Sequence, residues 1–194
     1  MKYNKKQLNN ILQNGGVIAF VTDTVWGIGC LPDNEIAVNK IYDIKGRDRS
    51  KPLILMSDSV EHLEKYVSKI PPTAKNLISR FFPGALTLVL EKSELTPNYM
   101  TSGLNTVGIR VPDNSTFQKI CQDIDGHVLA TTSANLSGQP SAKTFEQAVD
   151  FIGNLVDLVV EDEGNTAQGL ESTVVLVTKS EVKILRQGAV KIMA

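Results

Sequence analysis

Four basic side chains are concentrated in the segment KGRDRSKPL, residues 45–53. Lys45, Arg47, Arg49 and Lys51 fall within seven positions of a chain whose formal net charge is −1. Cations this close repel one another unless an anion lies among them, and arginine forks suit phosphate or carboxylate oxygens. The segment therefore predicts an anion site with phosphate as the favoured ligand. A solvated surface loop is the alternative.

Two segments rich in hydroxyl groups, TDTVWGIG (22–29) and ATTSANLSG (130–138), each follow or end an apolar run. In the first, Thr22 and Thr24 alternate with Asp23, so both hydroxyls can point to the same side of the chain. Gly27 and Gly29 would let the backbone approach a ligand closely. Ligands of open sheets tend to bind beyond the carboxyl ends of strands. Both segments are candidate ligand loops, and both are also typical of ordinary turns.

Two arginines lie in or at the end of apolar strand patterns, Arg110 in VGIRVP and Arg186 in ILRQG. An arginine in such a pattern is rarely buried without an anionic partner. That partner is either an internal carboxylate or the carboxylate of a substrate, and the sequence leaves both open.

Other chemistry finds little support in the motifs. The sequence contains no G-x-x-x-x-G-K-[ST] phosphate loop and no G-x-S-x-G nucleophile elbow. Its two histidines and two cysteines show no zinc-binding spacing, so no protein metal site is predicted. A magnesium ion arriving with a nucleotide would be held mostly by phosphates and water.

The elements that must position these residues alternate along the chain. Apolar runs predict strands at 17–21, 52–56, 85–90, 106–111, 127–132, 156–161, 172–177 and 181–186. Helical spacing and capping residues predict helices at about 5–13, 34–45, 58–67, 72–82, 115–123 and 145–152. In the second helix, Ile36, Ala37, Ile41 and Ile44 are expected to face inward. Lys179 and Ser180 are expected to form the tight turn of a closing hairpin.

These elements predict an α/β fold of the α+β type, with a mixed sheet covered by helices on both faces. With 194 residues and no linker or repeat, the expectation is one domain spanning 1–194. The polar start MKYNKKQLNN is unlike a signal peptide, and no apolar run approaches the length of a membrane helix. Together with two cysteines only, this predicts a cytoplasmic protein without membrane association.

Seven segments together resemble the YrdC-like threonylcarbamoyl-AMP synthase family of tRNA modification, in its short, single-domain form. They are, in order, TDTVWGIG, KGRDRSKPL, FPGALTLVL, GIRVP, TSANLSG, ESTVVLV and LRQGAV, and the match runs from residue 8 to residue 190. The resemblance implies an open twisted sheet around a central positively charged cavity, shared with dihydroxybutanone-phosphate synthase. It implies a nucleotidyltransferase that makes threonylcarbamoyl-AMP and pyrophosphate from L-threonine, bicarbonate and ATP, with magnesium accompanying the ATP.

The resemblance also implies roles for individual residues. Catalysis would depend on Lys45 and Arg47. ATP would be bound by Lys45, Arg47, Lys51, Thr106, Ser133, Asn135, Ser141 and Arg186. Threonine would be bound by Thr24, Arg110, Thr131 and Ser172. The expected partner is a tRNA threonylcarbamoyltransferase complex that receives the product, and any direct tRNA contact is expected to be weak.

The chain departs from the family pattern at three places. Val21 stands where proline is usual, Trp26 where tyrosine or phenylalanine is usual, and Met56 where longer members carry a histidine near threonine. Two rival functions use the same cavity: a non-catalytic RNA-binding module, and synthesis of carbamoyl-AMP for hydrogenase maturation. The absence of aromatic residues among the cations disfavours the first, and the low cysteine count disfavours the second.

Overall fold

Nine strands join in one mixed sheet in the computed structural model, which describes residues 3–179 and 181–192. The strands are β1 (Ile18–Phe20), β2 (Gly27–Cys30), β3 (Ile54–Ser57), β4 (Leu86–Glu91), β5 (Thr106–Arg110), β6 (Val128–Ser133), β7 (Leu158–Val159), β8 (Thr173–Val177) and β9 (Val182–Arg186). The helices are α1 (Lys5–Gln13), α2 (Glu35–Lys45), α3 (Val60–Leu63), α4 (Pro72–Phe81), α5 (Ser115–Asp123) and α6 (Phe145–Ile152), with a 3₁₀ turn at Glu64–Tyr66. These elements confirm the predicted α/β architecture.

The sheet places β3 at its centre, in the order β7-β1-β2-β6-β3-β5-β4-β8-β9. β3 pairs antiparallel with β6 and parallel with β5. Hairpins join β1 to β2 and β8 to β9. The strands that carry the candidate ligand residues therefore lie side by side.

Local sequence explains the helix boundaries closely. The side chains of Asn4, Asn34 and Asn114 accept hydrogen bonds from backbone N–H groups in the first turns of α1, α2 and α5. Thr144 caps α6 through the N–H of Gln147, whose own side chain accepts from the Lys143 N–H. Each of these four helices begins within about a residue of its predicted start.

The core forms on both faces of the sheet. On one face, α1 and α5 pack Leu8, Leu12 and Phe117 against Phe20 and Leu129. On the other, the apolar sides of α2, α4 and α6 pack against the opposite side chains of the same sheet in a larger cluster. The central strands are consequently buried on both faces, as predicted.

Four predictions about the elements need correction. Gly27–Cys30 is a strand rather than a loop, because TDTVW forms the turn of a hairpin. Ile36 lies 79% exposed, although Ala37 and Ile41 are buried as expected. Every residue of β9 is exposed, so helices do not cover this end of the sheet. The predicted strand at 156–161 is reduced to two residues. The Ser180 half of the predicted Lys179-Ser180 turn lies outside the described residues.

In the described part of the chain, no helix has both the length and the apolar character needed to cross a membrane.

Candidate active site

A cavity of about 260 Å³ opens where β2, β3, β4, β5, β6 and β8 meet. It brings together seven of the twelve predicted site residues: Thr24, Arg47, Arg110, Thr131, Ser133, Ser172 and Arg186. The other five, Lys45, Lys51, Thr106, Asn135 and Ser141, are not part of its lining. Segments far apart in sequence thus converge on one polar site.

Arg110 lines the cavity and is 2% exposed. Its Nη2 donates to Asp23 Oδ1 at 2.5 Å, its Nη1 to Thr24 Oγ1 at 2.8 Å, and its Nε to the Gly84 carbonyl at 3.0 Å. Of the two partners left open by the sequence, the internal carboxylate is present. A guanidinium has five N–H groups, so two remain for a ligand.

The Asp23–Arg110 pair is buried among apolar strands. Burial raises the pKa of the Asp23 carboxyl, and the adjacent guanidinium opposes that rise. Burial also lowers the pKa of Arg110, which Asp23 counteracts. We regard the pair as ionised, because the two groups are in direct contact and arginine keeps its proton in proteins.

The TDT segment supplies hydroxyls as predicted. Thr22 Oγ1 and Thr24 Oγ1 lie 3.0 Å apart on the same side of the chain, and Thr22 also donates to the Val25 carbonyl. Gly27 is needed for packing, since a Cβ there would lie 2.9 Å from the Phe20 ring. The hairpin therefore brings Thr24 to Arg110 while keeping β2 pressed against its neighbours.

The basic segment is divided among different environments. Arg47 lines the cavity, half-buried, with its Nε and Nη2 donating to the carbonyls of Lys51 and Pro52. Partial burial lowers the pKa of Arg47. Arg49 lies on the surface against Asp43 and Asn39, and the Lys51 side chain is exposed. Of the four cations, Arg47 alone lines the cavity.

Lys45 lies behind the cavity wall with 2% exposure. Its Nζ donates to the Ser133 carbonyl at 2.5 Å, the Asn135 carbonyl at 2.6 Å and Asn135 Oδ1 at 2.8 Å. Burial, and then the Arg47 charge, lowers the pKa of Lys45 to about 7. All three ammonium hydrogens are used, so this residue anchors the loop after β6. Contact with a phosphate would require it to give up one of these acceptors.

Arg186 closes the cavity from β9. Its Nη1 forms an ion pair with Glu171 Oε2, and its Nε and Nη2 donate to the Ser172 carbonyl. Ser141 Oγ donates to the other Glu171 oxygen at 3.3 Å, which places Ser141 just outside the lining. The Ser172 hydroxyl lies 2.9 Å from the Thr87 hydroxyl.

Sequence reasoning missed two carboxylates of the site, Glu171 and Asp23. Both stand inside quoted motifs, at the start of ESTVVLV and between the threonines of TDT. They could have been predicted because arginines in apolar strands need carboxylates to neutralise them. The charged lining residues, three arginines and one glutamate, have a formal charge of +2, and Asp23 lies outside the lining against Arg110.

Two of the family departures lie at this site. Met56 lines the cavity beside Arg110, with which it is paired in register between β3 and β5. Trp26 is fully buried against the Phe145 ring, with centroids 5.8 Å apart. Both positions are occupied by apolar side chains that fill the wall. Thr106, by contrast, lies at the far end of β5 from Arg110.

Comparisons with known proteins identify the family of the chain. The family model Sua5_yciO_yrdC, described as telomere recombination, matches residues 10–188. A threonylcarbamoyl-AMP synthase of Pyrococcus abyssi is 40% identical over 178 residues, which is 91% of this chain and 52% of that protein. One of Vibrio cholerae is 36% identical over 187 residues, 95% of this chain and 97% of that protein.

A solved structure shows the same fold with a ligand named in its description. The crystal structure of P. abyssi Sua5 complexed with L-threonine matches at a TM-score of 0.88 and 34% identity. The alignment covers 97% of this chain and 56% of that one. The chain thus spans about half the length of the P. abyssi protein.

Proposed function

Since the chain belongs to the Sua5/YciO/YrdC family, we propose that it is a threonylcarbamoyl-AMP synthase. The reaction joins L-threonine, bicarbonate and ATP into L-threonylcarbamoyladenylate and releases pyrophosphate, for threonylcarbamoyladenosine modification of tRNA. The observation that carries the proposal is the cavity itself, where three arginines and a row of hydroxyls converge. Every substrate is an anion or carries a carboxylate, and crowding them together requires such a cationic well.

Threonine would bind in the part of the cavity beside Arg110. The two unused N–H groups of Arg110 would hold its carboxylate, because the guanidinium is already fixed by Asp23, Thr24 and the Gly84 carbonyl. Thr131 and Ser172 line the same cavity and offer hydroxyls to the amino acid. The solved complex of P. abyssi Sua5 with L-threonine supports the choice of threonine as a ligand.

ATP would bind toward the open side, with Arg47 and Arg186 on its phosphates and Ser133 beside them. Lys45 would act by anchoring the end of β6 at Ser133 and the following loop at Asn135. Its direct contact with phosphate or bicarbonate, and ATP contacts by Lys51, Thr106, Asn135 and Ser141, remain predictions. They would require rearrangement when the nucleotide binds.

The chemistry needs positioning and charge stabilisation more than a covalent enzyme intermediate. The threonine amine attacks the carbon of bicarbonate, from which water leaves, or of carbon dioxide, with loss of an amine proton, and forms a carbamate. A carbamate oxygen then attacks the α-phosphorus of ATP, and the bond to the β-phosphate oxygen breaks as pyrophosphate leaves. Arg47 and Arg186 would stabilise the charge that develops on the phosphates.

Magnesium would enter with ATP as part of the substrate. The one carboxylate among the described lining residues, Glu171, is already paired with Arg186. The ion would therefore be held by phosphate oxygens and water. Residues 1–194 would form a single cytoplasmic domain that passes its product to a tRNA threonylcarbamoyltransferase complex.

Pyrophosphate release tests the proposal, with L-threonine and bicarbonate each present or withheld. We expect release only when both accompany ATP. ATP hydrolysis that ignores threonine, or ATP binding without turnover, would contradict it and favour the binding-module alternative.

A further inference from the structure

Both histidines of the chain lie beside Asp58, outside the cavity described above. Asp58 directly follows β3, His62 belongs to α3, and His127 directly precedes β6. β3 and β6 are antiparallel neighbours with Ser57 paired to Val128, so the three side chains are brought together by the sheet.

The donor atoms of this cluster lie close together. His62 Nδ1 lies within hydrogen-bond distance of Asp58 Oδ1 at 3.0 Å and of Ser59 Oγ at 3.2 Å, and His127 Nδ1 lies 3.7 Å from the same Asp58 oxygen. One potential ligand atom from each residue lies within 4.8 Å of the others. The two imidazole rings stack with centroids 4.2 Å apart and planes inclined by 17°, so the rings must rotate about their Cβ–Cγ bonds to direct both lone pairs at one ion.

His127 Nδ1 has no hydrogen-bond partner among the described residues, although the atom itself is buried. Its distance of 3.7 Å to Asp58 Oδ1 is too long for a hydrogen bond. A buried ring nitrogen without a partner beside a carboxylate oxygen is a pair of donor atoms that a cation can use. The Ser57 hydroxyl lies within hydrogen-bond distance of both Asp58 Oδ1 and the His127 carbonyl, and so helps to hold the two residues in place.

We propose that Asp58, His62 and His127 form a binding site for a divalent transition-metal ion, with zinc as the best fit. In a tetrahedral zinc site with bonds of about 2.0–2.1 Å, ligand atoms are about 3.3 Å apart. The observed separations of 3.0 and 3.7 Å bracket that value. Two imidazoles and one carboxylate suit zinc better than calcium or magnesium, which prefer oxygen ligands.

The site is open enough to fill from solvent. The side chains of His62 and His127 are 35% and 37% exposed, which leaves room for a water as fourth ligand. None of the three residues lines the cavity. The ion would tie the turn between β3 and α3 to the start of β6, and it would stabilise the strands that carry Met56 and Thr131 into the cavity. This inference does not depend on the proposed function.

The test is a titration of the full chain with Co²⁺ and Zn²⁺, without ATP or threonine. We expect one metal ion per chain, visible absorption bands of tetrahedral cobalt that zinc displaces, and a higher Tm with zinc. Asp58→Asn and His127→Asn should each weaken zinc binding by at least about 100-fold, more than loss of a group that only orients a ligand. Asparagine is chosen at position 127 because the backbone φ there is +59°, which asparagine tolerates well.

Glu61→Gln is the matched control, since Glu61 is a carboxylate of the same short helix that lies outside the cluster. Its zinc affinity should equal that of the wild type. Absence of stoichiometric binding by the wild type would overturn the proposal, as would binding that Asp58→Asn leaves intact. If either variant fails to fold, nitrogen-15 NMR of the wild type decides. Zinc should shift the ring nitrogens of both histidines, and unshifted signals would contradict the proposal.

Discussion

Arginine, rather than lysine, supplies the cations that face the cavity. Arg47, Arg110 and Arg186 line it, each with part of its guanidinium fixed by a carbonyl or a carboxylate. A planar fork held in this way keeps the remaining N–H groups oriented before a substrate arrives. Oriented donors of this kind stabilise developing charge without reorganising during the reaction.

Arg47→Ala should lower kcat/KM by roughly 10²- to 10³-fold, the usual effect of removing one donor that stabilises transition-state charge. The free energy of unfolding should fall by no more than about 2 kcal/mol, because Arg47 bonds only the carbonyls of its own loop. Pyrophosphate release and urea unfolding measure the two quantities.

Arg49→Ala is the control for this prediction, two residues away and paired with Asp43 on the surface. It should retain activity within about threefold, since exposed ion pairs contribute little. Equal loss in both variants, or near-normal turnover by Arg47→Ala, would contradict the assignment of Arg47 to the phosphates.

At the scale of elements, Lys45 joins the end of α2 to the loop after β6. Gly46 ends α2 in the left-handed conformation with φ of 55°, and the Lys45 ammonium spans to the carbonyls of Ser133 and Asn135. The strand residues Thr131 and Ser133 therefore depend on a helix terminus for their position. A basic segment that appeared uniform in sequence is divided in the structure, with Arg47 lining the cavity and Lys45 anchoring a loop.

The low pKa of Lys45 should make stability depend on pH. The pKa of Lys45 is about 7 in the folded chain, whereas the pKa of lysine in an unfolded chain is about 10.4. Between these values the unfolded chain binds more protons at this residue, so stability rises with pH. Relative to Lys45→Met, the wild-type free energy of unfolding should rise by up to about 1.4 kcal/mol per pH unit between about pH 7.5 and 9.5.

Urea unfolding at several pH values measures this difference, with Lys51→Met as the control. Lys51 is exposed on the same loop, so the free energy of unfolding of Lys51→Met should change with pH in the same way as that of the wild type. Parallel curves for Lys45→Met and the wild type would show that the buried ammonium keeps its proton throughout.

Sequence patterns predicted most elements because their signals are local. Asn34, Asn114 and Thr144 cap their helices through their own side chains, and these boundaries needed no knowledge of the fold. The strand Gly27–Cys30 was missed because two glycines in four residues are typical of a turn. Glycine is required there by packing between strands, because Phe20 from β1 lies against Gly27.

The sequence indicated which cations belong to the site, because a charged residue in an apolar pattern is visible locally. It did not indicate their hydrogen-bond partners, because these come from distant segments. Arg110 was recognised as needing an anion, yet its partner Asp23 lies 87 residues away and no local pattern connects them. Burial of Lys45 was likewise invisible, because its acceptors follow β6, some 90 residues later. Such pairings are set by the order of strands in the sheet.

For the whole molecule, the balance of charge is what separates a nucleotide site from a nucleic-acid surface. The chain has a formal net charge of −1, while its cavity lining has a formal charge of +2. The cavity cations converge on a volume of about 260 Å³. A small anion can reach them together, whereas the residues outside the lining have a negative net charge, which would not attract an RNA backbone.

Salt dependence should therefore be shallow. Between about 50 and 200 mM salt, the KM for ATP should rise by less than about tenfold, because charges at a partly buried site are screened weakly. A protein that engages six to ten phosphates of a nucleic acid would lose about 10³- to 10⁵-fold in affinity over that range. A loss of that size for tRNA, with tight binding at low salt, would favour the RNA-binding alternative.

The central claim is that one cavity joins threonine, a carbonate carbon and AMP. The most direct test supplies ¹³C-labelled bicarbonate with L-threonine and ATP, and follows the products by mass spectrometry. We expect a threonylcarbamoyl-AMP whose mass increases by one ¹³C, formed together with pyrophosphate. Formation of AMP or ADP without any labelled adduct, under conditions where the protein binds ATP, would contradict it.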